Sequence, residues 1–227
     1  MKLSYFSMLA LTLSSTASAH TLLIKPTQNG QAANIMITEQ FFKGDRTLNA
    51  NKLTTQTLAT SGITWLSSNQ TQAKVLEYPI ATKQSSLIYS TAQPRYRGIK
   101  KGEPATTPTK TLRIDDFAKT FIGADPATPI LSGQRFEIVP QQHPALATKG
   151  SKLQFQVLYK GQPQIAKVSI FPPEGERVRM KTSDTGIFSA TITASGTWVV
   201  KAVFKSSEAQ DVFSGSYEAA ASLLFEI

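Results

Sequence analysis

The chain of 227 residues contains no cysteine, two histidines and four methionines. The absence of cysteine excludes disulfides, thiolate metal ligands and a cysteine nucleophile. The sequence also lacks a Gly-x-Ser-x-Gly motif, a phosphate-binding loop and a dinucleotide-binding glycine motif. A serine triad needs a histidine base and an orienting acid, and only two histidines could serve as that base. We therefore expect no catalytic residues and a protein that is not an enzyme.

The first nineteen residues have the pattern of a secretory signal peptide. Lys2 supplies a positive charge, residues 6–13 are mainly apolar, and Ala17-Ser18-Ala19 is a small-x-small cleavage sequence. The apolar run is too short to span a bilayer as a helix. We expect cleavage after Ala19, since cleavage after Ala17 fits the pattern less well. The mature chain would then begin at His20 and lie in the periplasm.

The chain is basic, with a formal net charge of +9. The basic residues are scattered, and the densest group lies in the segment PRYRGIKKGE, which contains Arg95, Arg97, Lys100 and Lys101. A solvated basic loop is the simplest interpretation, and attraction to anionic lipid or to an acidic partner is the alternative. Because no nucleic-acid-binding motif accompanies the charge, we expect no nucleic-acid partner.

Alternation of apolar and polar residues dominates the second half of the chain. It is clear in KLQFQVLYKG (152–161), IFSATITASG (187–196) and TWVVKAVFK (197–205), and it predicts β-strands. Turn signals about every ten residues favour an antiparallel sandwich. One segment, DDFAKTFIG (115–123), predicts a helix, with a cap at its first residue, two phenylalanines four residues apart and a terminal glycine.

The domain division rests on two proline-rich stretches, GEPATTPTK (102–110) and ADPATPILSG (124–133). The first half contains further strand candidates around a long polar loop predicted for residues 43–60. We place a boundary near Gly133, at the end of the second stretch. The sequence therefore predicts an all-β protein with two antiparallel, immunoglobulin-like β-sandwich domains, residues 20–132 and 133–227, and one short helix between them.

The two histidines are the candidate metal ligands. As the first residue of a mature chain, His20 would offer two nitrogen donors, its α-amine and its imidazole. Nitrogen donors suit nickel, cobalt, copper and zinc. His143 would add a third nitrogen if the two residues met across the domain interface. The alternative is that His20 starts the chain by chance and that His143 is an ordinary polar loop residue before Pro144.

Three segments carry a resemblance to a known family: AHTLLIKP at 19–26, GQRFEIVPQQHPALATKG at 133–150 and TSDTGIFSATITASGTWVVKAV at 182–203. Together they resemble a bacterial periplasmic family of unknown function that is often described as the periplasmic component of cobalt or nickel transport. The resemblance implies nickel or cobalt as the metal, His20 as a ligand and a membrane or outer-membrane metal transporter as partner. It also implies a hairpin turn at Asp184 and Gly186.

The expected function is therefore that of a periplasmic accessory protein that binds a divalent transition metal for nickel or cobalt uptake. The alternative is a non-catalytic β-sandwich module that recognises another envelope protein or a polysaccharide. Trp65, Tyr89 and Tyr96 are the contact candidates for that role. A copper enzyme built on His20 and a second histidine is a third interpretation, but the sequence indicates no substrate for it.

Overall fold

The computed structural model describes residues 20–38, 44–81, 84–98 and 111–227. These ranges contain strands and two 3-10 turns, at Ala50–Lys52 and Pro144–Leu146, and no α-helix. None of their helical turns has the length and apolar character needed to cross a membrane. The strands are β1 (Thr21–Pro26), β2 (Ala32–Thr38), β3 (Leu48–Asn49), β4 (Leu53–Ala59), β5 (Gly62–Trp65), β6 (Gln72–Ala73), β7 (Val75–Pro79), β8 (Ser86–Ala92), β9 (Arg95–Arg97), β10 (Leu112–Ile122), β11 (Phe136–Pro140), β12 (Lys152–Tyr159), β13 (Gln162–Pro163), β14 (Lys167–Phe171), β15 (Val178–Lys181), β16 (Ile187–Thr191), β17 (Thr197–Ser206) and β18 (Ser216–Glu226).

A nine-stranded sheet forms the centre of the fold. Its strand order is β15-β14-β17-β18-β10-β8-β4-β5, and β9 pairs with β10 beside this path. The pair β10–β18 is parallel, from Leu112↔Ser216 to Thr120↔Leu224, and every other pair in this sheet is antiparallel. The three longest strands, β17, β18 and β10, are therefore neighbours in the middle of the sheet.

Smaller sheets pack on the two faces of this central sheet. Because side chains alternate along a strand, Phe117 of β10 joins an apolar cluster with the sheet formed by β11, β12, β13 and β16. Ala118, the next residue, joins a cluster with the sheet β1-β2-β7. Large side chains such as Trp198 and Phe155 are fully buried in the first cluster, and each stabilises the fold by about 1.5–3 kcal/mol. Strands β10 and β18 thus carry packed layers on both sides.

The helix predicted for residues 115–123 is wrong, because these residues belong to strand β10. Phe117 and Phe121 do share one face, but a spacing of four residues puts two side chains on the same face of a strand as well as of a helix. Strand neighbours on both sides take up the backbone hydrogen bonds of β10. Asp115 does not cap a helix; it forms an ion pair with Arg113.

The long loop predicted for residues 43–60 is wrong for most of its length. Residues 48–49 form β3, and Leu53–Ala59 form β4, which pairs with both β5 and β8. Thr55 and Thr57 point into the interior of the protein, and the Thr55 hydroxyl lies 3.0 Å from that of Ser90. Threonine thus occupies two interior positions of β4. It is a β-branched residue that suits strands, but because it is polar it does not produce the alternation of apolar and polar residues that predicts a strand. Residue 43 lies outside the described ranges.

Hydrogen bonding continues across the boundary predicted near Gly133. Strand β10 precedes this boundary and β18 follows it, yet the two pair along almost their whole length. The all-β prediction is confirmed for the described residues, and the two halves share one sheet. A division into two separate sandwiches at residue 133 stays a prediction. The predicted signal peptide, residues 1–19, lies outside the described ranges.

Candidate functional site

His20 directly precedes β1 and is half-buried. Strand β1 pairs with β2 from Thr21↔Thr38 onward and lies across β10 and β18. The side chains of Leu22, Leu23 and Ile24 are all buried, so the residues that follow His20 are fixed in the core. His20 therefore stands at the end of a rigid strand.

The direction of β1 across the central sheet follows from its contacts. The Leu22 carbonyl accepts a hydrogen bond of 2.5 Å from the Ser222 hydroxyl, whereas Pro26 lines a cavity with Ile122 and Glu226. The strand thus runs towards the end of β18 that carries Glu226. His20 precedes Leu22 and lies towards the opposite end, where residues 216–220 of β18 pair with residues 112–116 of β10.

His143 is buried, with 4% of its surface exposed. It caps the 3-10 turn Pro144–Leu146, where its Nδ1 accepts a hydrogen bond of 3.2 Å from the Ala145 backbone N–H. Its ring packs edge-on against Phe121, with 4.7 Å between ring centroids. Burial lowers the pKa of His143, and the charge of Asp125 partly opposes this effect. These contacts are those of a neutral core histidine.

The structure does not bring His20 and His143 together. His143 lines the cavity of about 200 Å³ that also contains Pro26 and Gly30, beyond the far end of β1 from His20. Pro26 follows His20 by six residues along the strand, a span of about 20 Å at ~3.3 Å per residue. The predicted joint site is therefore not formed. Within the described ranges, no group of three or more histidine, aspartate or glutamate side chains is placed to hold a metal.

The hydrogen bonding of His143 also argues against metal ligation. Because Nδ1 accepts a hydrogen bond, the proton of the neutral ring is on Nε2. Nε2 is buried and has no hydrogen-bond partner among the described residues. Binding a metal through Nε2 would move this proton to Nδ1 and break the bond from Ala145. The ring is thus a poor ligand in this conformation.

A cluster of charged residues lies at the end of the central sheet where residues 216–220 of β18 pair with residues 112–116 of β10. We call it the Asp116 cluster, and its members are Arg95, Asp116, Lys201, Lys205 and Glu218. Arg95 Nε donates a hydrogen bond of 3.0 Å to Asp116, and Lys205 forms an ion pair of 2.8 Å with Glu218. Burial raises the pKa of Asp116 against the opposing effect of Arg95. Burial also lowers the pKa of Lys201, and the negative charges of Asp116 and Glu218 oppose this effect.

Sequence reasoning missed the Asp116 cluster because it interpreted Asp115-Asp116 as the start of a helix. In a strand, two adjacent aspartates point to opposite faces. Asp115 therefore lies on the other side of the sheet, where Arg113 holds it through bonds of 2.9 and 3.0 Å. The Tyr217 hydroxyl donates a third bond of 3.1 Å to Asp115. The two-residue period of a strand is the pattern that predicts the two carboxylates on opposite faces of the sheet.

The three aromatic contact candidates have different surroundings. Tyr89 is buried, with 8% of its surface exposed, and the Tyr96 hydroxyl donates a hydrogen bond of 2.7 Å to Asp211. Trp65 is 68% exposed and stands in β5, at the edge of the central sheet. Of the three, Trp65 alone presents most of its ring to solvent.

Comparisons with known proteins give the family and little more. The family model described as "Domain of unknown function (DUF4198)" matches residues 17–206, and the chain belongs to this family. That description contains no link to nickel or cobalt. No curated protein matches the chain.

Two solved structures align with the chain at low similarity. A two fibronectin type-III domain segment from chicken tenascin is 12% identical, with a TM-score of 0.26, and the alignment covers 92% of this chain and 99% of that one. A tetra-tandem repeat from the extending region of a large adhesion protein is 11% identical, with a TM-score of 0.22, covering 91% of this chain and 48% of that one. Similarity this low indicates nothing about the function of the chain.

Proposed function

We propose that this member of the DUF4198 family binds a divalent transition-metal ion through His20, once residues 1–19 have been removed. The observation that supports the proposal is the position of His20, half-buried and directly ahead of the buried strand β1. The α-amine and the imidazole of one residue would then chelate the ion. Nickel or cobalt is the proposed cargo, and copper and zinc have the same preference for nitrogen donors.

A chelate at this position would have a fixed base and unfilled coordination positions. The base is fixed because the Leu22 carbonyl is bonded to Ser222 and because Leu22, Leu23 and Ile24 are buried. Two nitrogen donors leave coordination positions for water or for a ligand from another protein. Such a site exchanges its ion more readily than a closed four-ligand site. This property suits a periplasmic accessory protein that passes the metal to a transporter.

The two carboxylates of the Asp116 cluster already have cationic partners. Asp116 is bonded to Arg95, and Glu218 is paired with Lys205. A metal that recruited either carboxylate would leave a cation in the Asp116 cluster without its counter-charge. The proposal therefore assigns the protein ligands to His20 alone.

The test is calorimetric titration of nickel, cobalt, copper and zinc into protein whose start at His20 has been confirmed by mass spectrometry. A variant with one alanine added ahead of His20 keeps the imidazole but converts the amine into an amide. We expect one-to-one binding in the mature protein and at least tenfold weaker binding in the extended variant. His143→Leu is the matched control, and it should bind as the wild type does. Equal binding by the mature and extended proteins would contradict the proposal, as would no binding by either.

The alternative function is recognition of another envelope protein or a polysaccharide. Its structural support is the exposed ring of Trp65. The same titration separates the two functions, because a binding module of that kind has no need of a free amine at His20. Failure of the metal titration would therefore favour the surface around Trp65.

A further inference from the structure

Strand β5, Gly62–Trp65, is an unprotected edge of the central sheet. It pairs with β4 on one side, and no strand among the described residues pairs with its other side. All four of its residues are exposed. Ile63 and Trp65 are 59% and 68% exposed, and at a spacing of two residues they point to the same face.

The free hydrogen-bonding groups of β5 belong to the same two residues. The Leu66 N–H donates a hydrogen bond of 3.0 Å to the carbonyl of Thr55. The backbone groups of Leu66 therefore point towards β4. In an antiparallel pair such residues alternate with residues whose N–H and C=O point outwards. Thr64 and Gly62 therefore face β4, and Ile63 and Trp65 direct their backbone groups to the open side.

The segment around β5 also lacks the charges that normally protect an edge strand. Residues 53–73 contain no charged residue, although the chain as a whole has a net charge of +9. The opposite edge of the same sheet is β15, which carries Arg179 and Lys181 and follows Arg177. Natural sheets use charged side chains of this kind to prevent pairing between edges. One edge of the sheet is thus protected and the other is not.

We propose that β5 pairs with β5 of a second copy of this chain, antiparallel and about a two-fold axis at Thr64. In this register Ile63 lies opposite Trp65 of the second copy, and the two residues exchange N–H···O=C bonds. The symmetry repeats the exchange, giving four backbone hydrogen bonds in all. It also places two isoleucines and two tryptophans together on one face, a favourable combination of β-branched and aromatic side chains across strands.

A second copy fits this edge for two reasons. The pattern Ile-Thr-Trp is self-complementary about Thr64, and the uncharged segment 53–73 keeps like charges of the two basic chains apart at the contact. The interface is small, however, because stable interfaces usually contain about 20–30 residues on each side. We therefore expect a reversible dimer that forms as the protein concentration rises.

The first experiment is sedimentation equilibrium of the mature protein over a concentration series. Ile63→Lys places a charge at the two-fold contact, and Val178→Lys places the same charge on the opposite edge strand, where the residue is also exposed. We expect concentration-dependent dimers in the wild type and in Val178→Lys, and at least a tenfold weaker association in Ile63→Lys. Circular dichroism of each variant checks that the fold is retained.

A cysteine cross-link tests the register directly, since the chain contains no cysteine of its own. In the proposed pairing, Thr64 faces its own symmetry mate at a non-hydrogen-bonded position, with about 4.5 Å between Cα atoms, a distance that a disulfide can bridge. Thr64→Cys should therefore form a covalent dimer under mild oxidation, and Arg179→Cys in β15 should not.

Several outcomes would overturn the inference. A protein that stays monomeric at every concentration, with no excess of disulfide dimer in Thr64→Cys over Arg179→Cys, excludes a second copy. A dimer that survives Ile63→Lys assigns the contact to another surface. A monomer whose Trp65 fluorescence shifts when soluble dextran is added would give the edge a carbohydrate partner instead.

Discussion

Replacing Lys119 by methionine should destabilise the protein by about 3 kcal/mol. Lys119 and Glu137 form the most buried ion pair among the described residues, with side chains 1% and 2% exposed and an Nζ–Oε2 distance of 2.8 Å. Lys119 also donates a bond of 3.1 Å to the carbonyl of Ile130. The pair joins β10 to β11 across the segment where a domain boundary was predicted.

The expected magnitude follows from what remains after the substitution. Methionine is apolar and similar in length to lysine, so the cavity term is small. The main cost is a buried carboxylate without its cation, for which ~3–5 kcal/mol is typical. Glu137 retains bonds from the Ser132 N–H (3.0 Å), the Ser132 hydroxyl (2.7 Å) and the Gly133 N–H (3.1 Å). These bonds place the expected loss at the lower end of the range.

The assay is urea denaturation followed by circular dichroism, with the melting temperature as a second measurement. A loss of about 3 kcal/mol corresponds to a fall of roughly 6–12 °C in a chain of this size. In Lys119→Met with Glu137→Gln, the buried charge is gone and the amide oxygen, placed where Oε2 was, can still accept both bonds from Ser132. The amide nitrogen cannot accept the bond from the Gly133 N–H, so part of the loss, and not all of it, should be recovered. Lys152→Met, at an exposed position, is the control. The reasoning is refuted if Lys119→Met stays within about 1 kcal/mol of the wild type, or if the double variant is less stable than the single one.

Three further predictions test individual positions. His143→Leu should change the free energy of unfolding by less than about 1 kcal/mol, because removal of the buried Nε2, which has no partner, offsets loss of the bond that Nδ1 accepts from the Ala145 N–H. Gly186→Ala should cost about 1–3 kcal/mol in urea denaturation, because φ is +75° and the added Cβ would lie 2.6 Å from a backbone oxygen. Burial raises the pKa of Asp211, but bonds from Tyr96 and Arg113 outweigh it and lower the pKa to about 2. Its contribution to stability is therefore present above pH ~4 and lost as the pH falls towards 2, and Asp211→Asn should remove this part of the acid dependence of unfolding.

The strands of the second half could be predicted because their periodicity reports directly on burial. In β12, Leu153, Phe155 and Val157 are fully buried and alternate with more exposed residues, as the pattern KLQFQVLYKG indicates. The turn predicted at Asp184 and Gly186 is present, with a positive φ at the glycine, but it joins β15 and β16, which lie in different sheets, and not the two strands of a hairpin. In both cases the physical requirement is local, so neighbouring residues are enough to reveal it.

Strand β10 could not be predicted in this way because it is buried on both faces. Its pattern is LRIDDFAKTFI, in which charged residues interrupt the alternation. Three of these charged residues have partners on other strands: Asp115 is bonded by Tyr217, Asp116 by Arg95, and Lys119 is paired with Glu137. A sequence pattern cannot supply these partners, since they depend on how β10 lies against β9, β11 and β18, the last of which follows about a hundred residues later.

Sequence patterns likewise identify only part of the candidate site. His20 was identified from its place in the chain, and the fold neither adds His143 nor places a group of three titratable metal ligands within the described ranges. The Asp116 cluster, by contrast, exists only through strand pairing and was not predicted. A chelate that needs one residue and a free amine depends on cleavage more than on tertiary structure. Chemical confirmation of the mature start therefore comes before any structural interpretation of metal binding.

The proposed metal site and the proposed dimer contact should be independent of each other. His20 precedes β1, which contacts β10 and β18, and β5 is three strands away from β10 in the central sheet, about 14 Å at ~4.8 Å per strand. Ile63→Lys should accordingly abolish association without changing the metal affinity of the mature protein, and the extended His20 variant should lose metal binding and still dimerise. If one substitution altered both properties, the two surfaces would have to be coupled through β8 and β4, and the assignment of His20 and β5 to separate roles would be wrong.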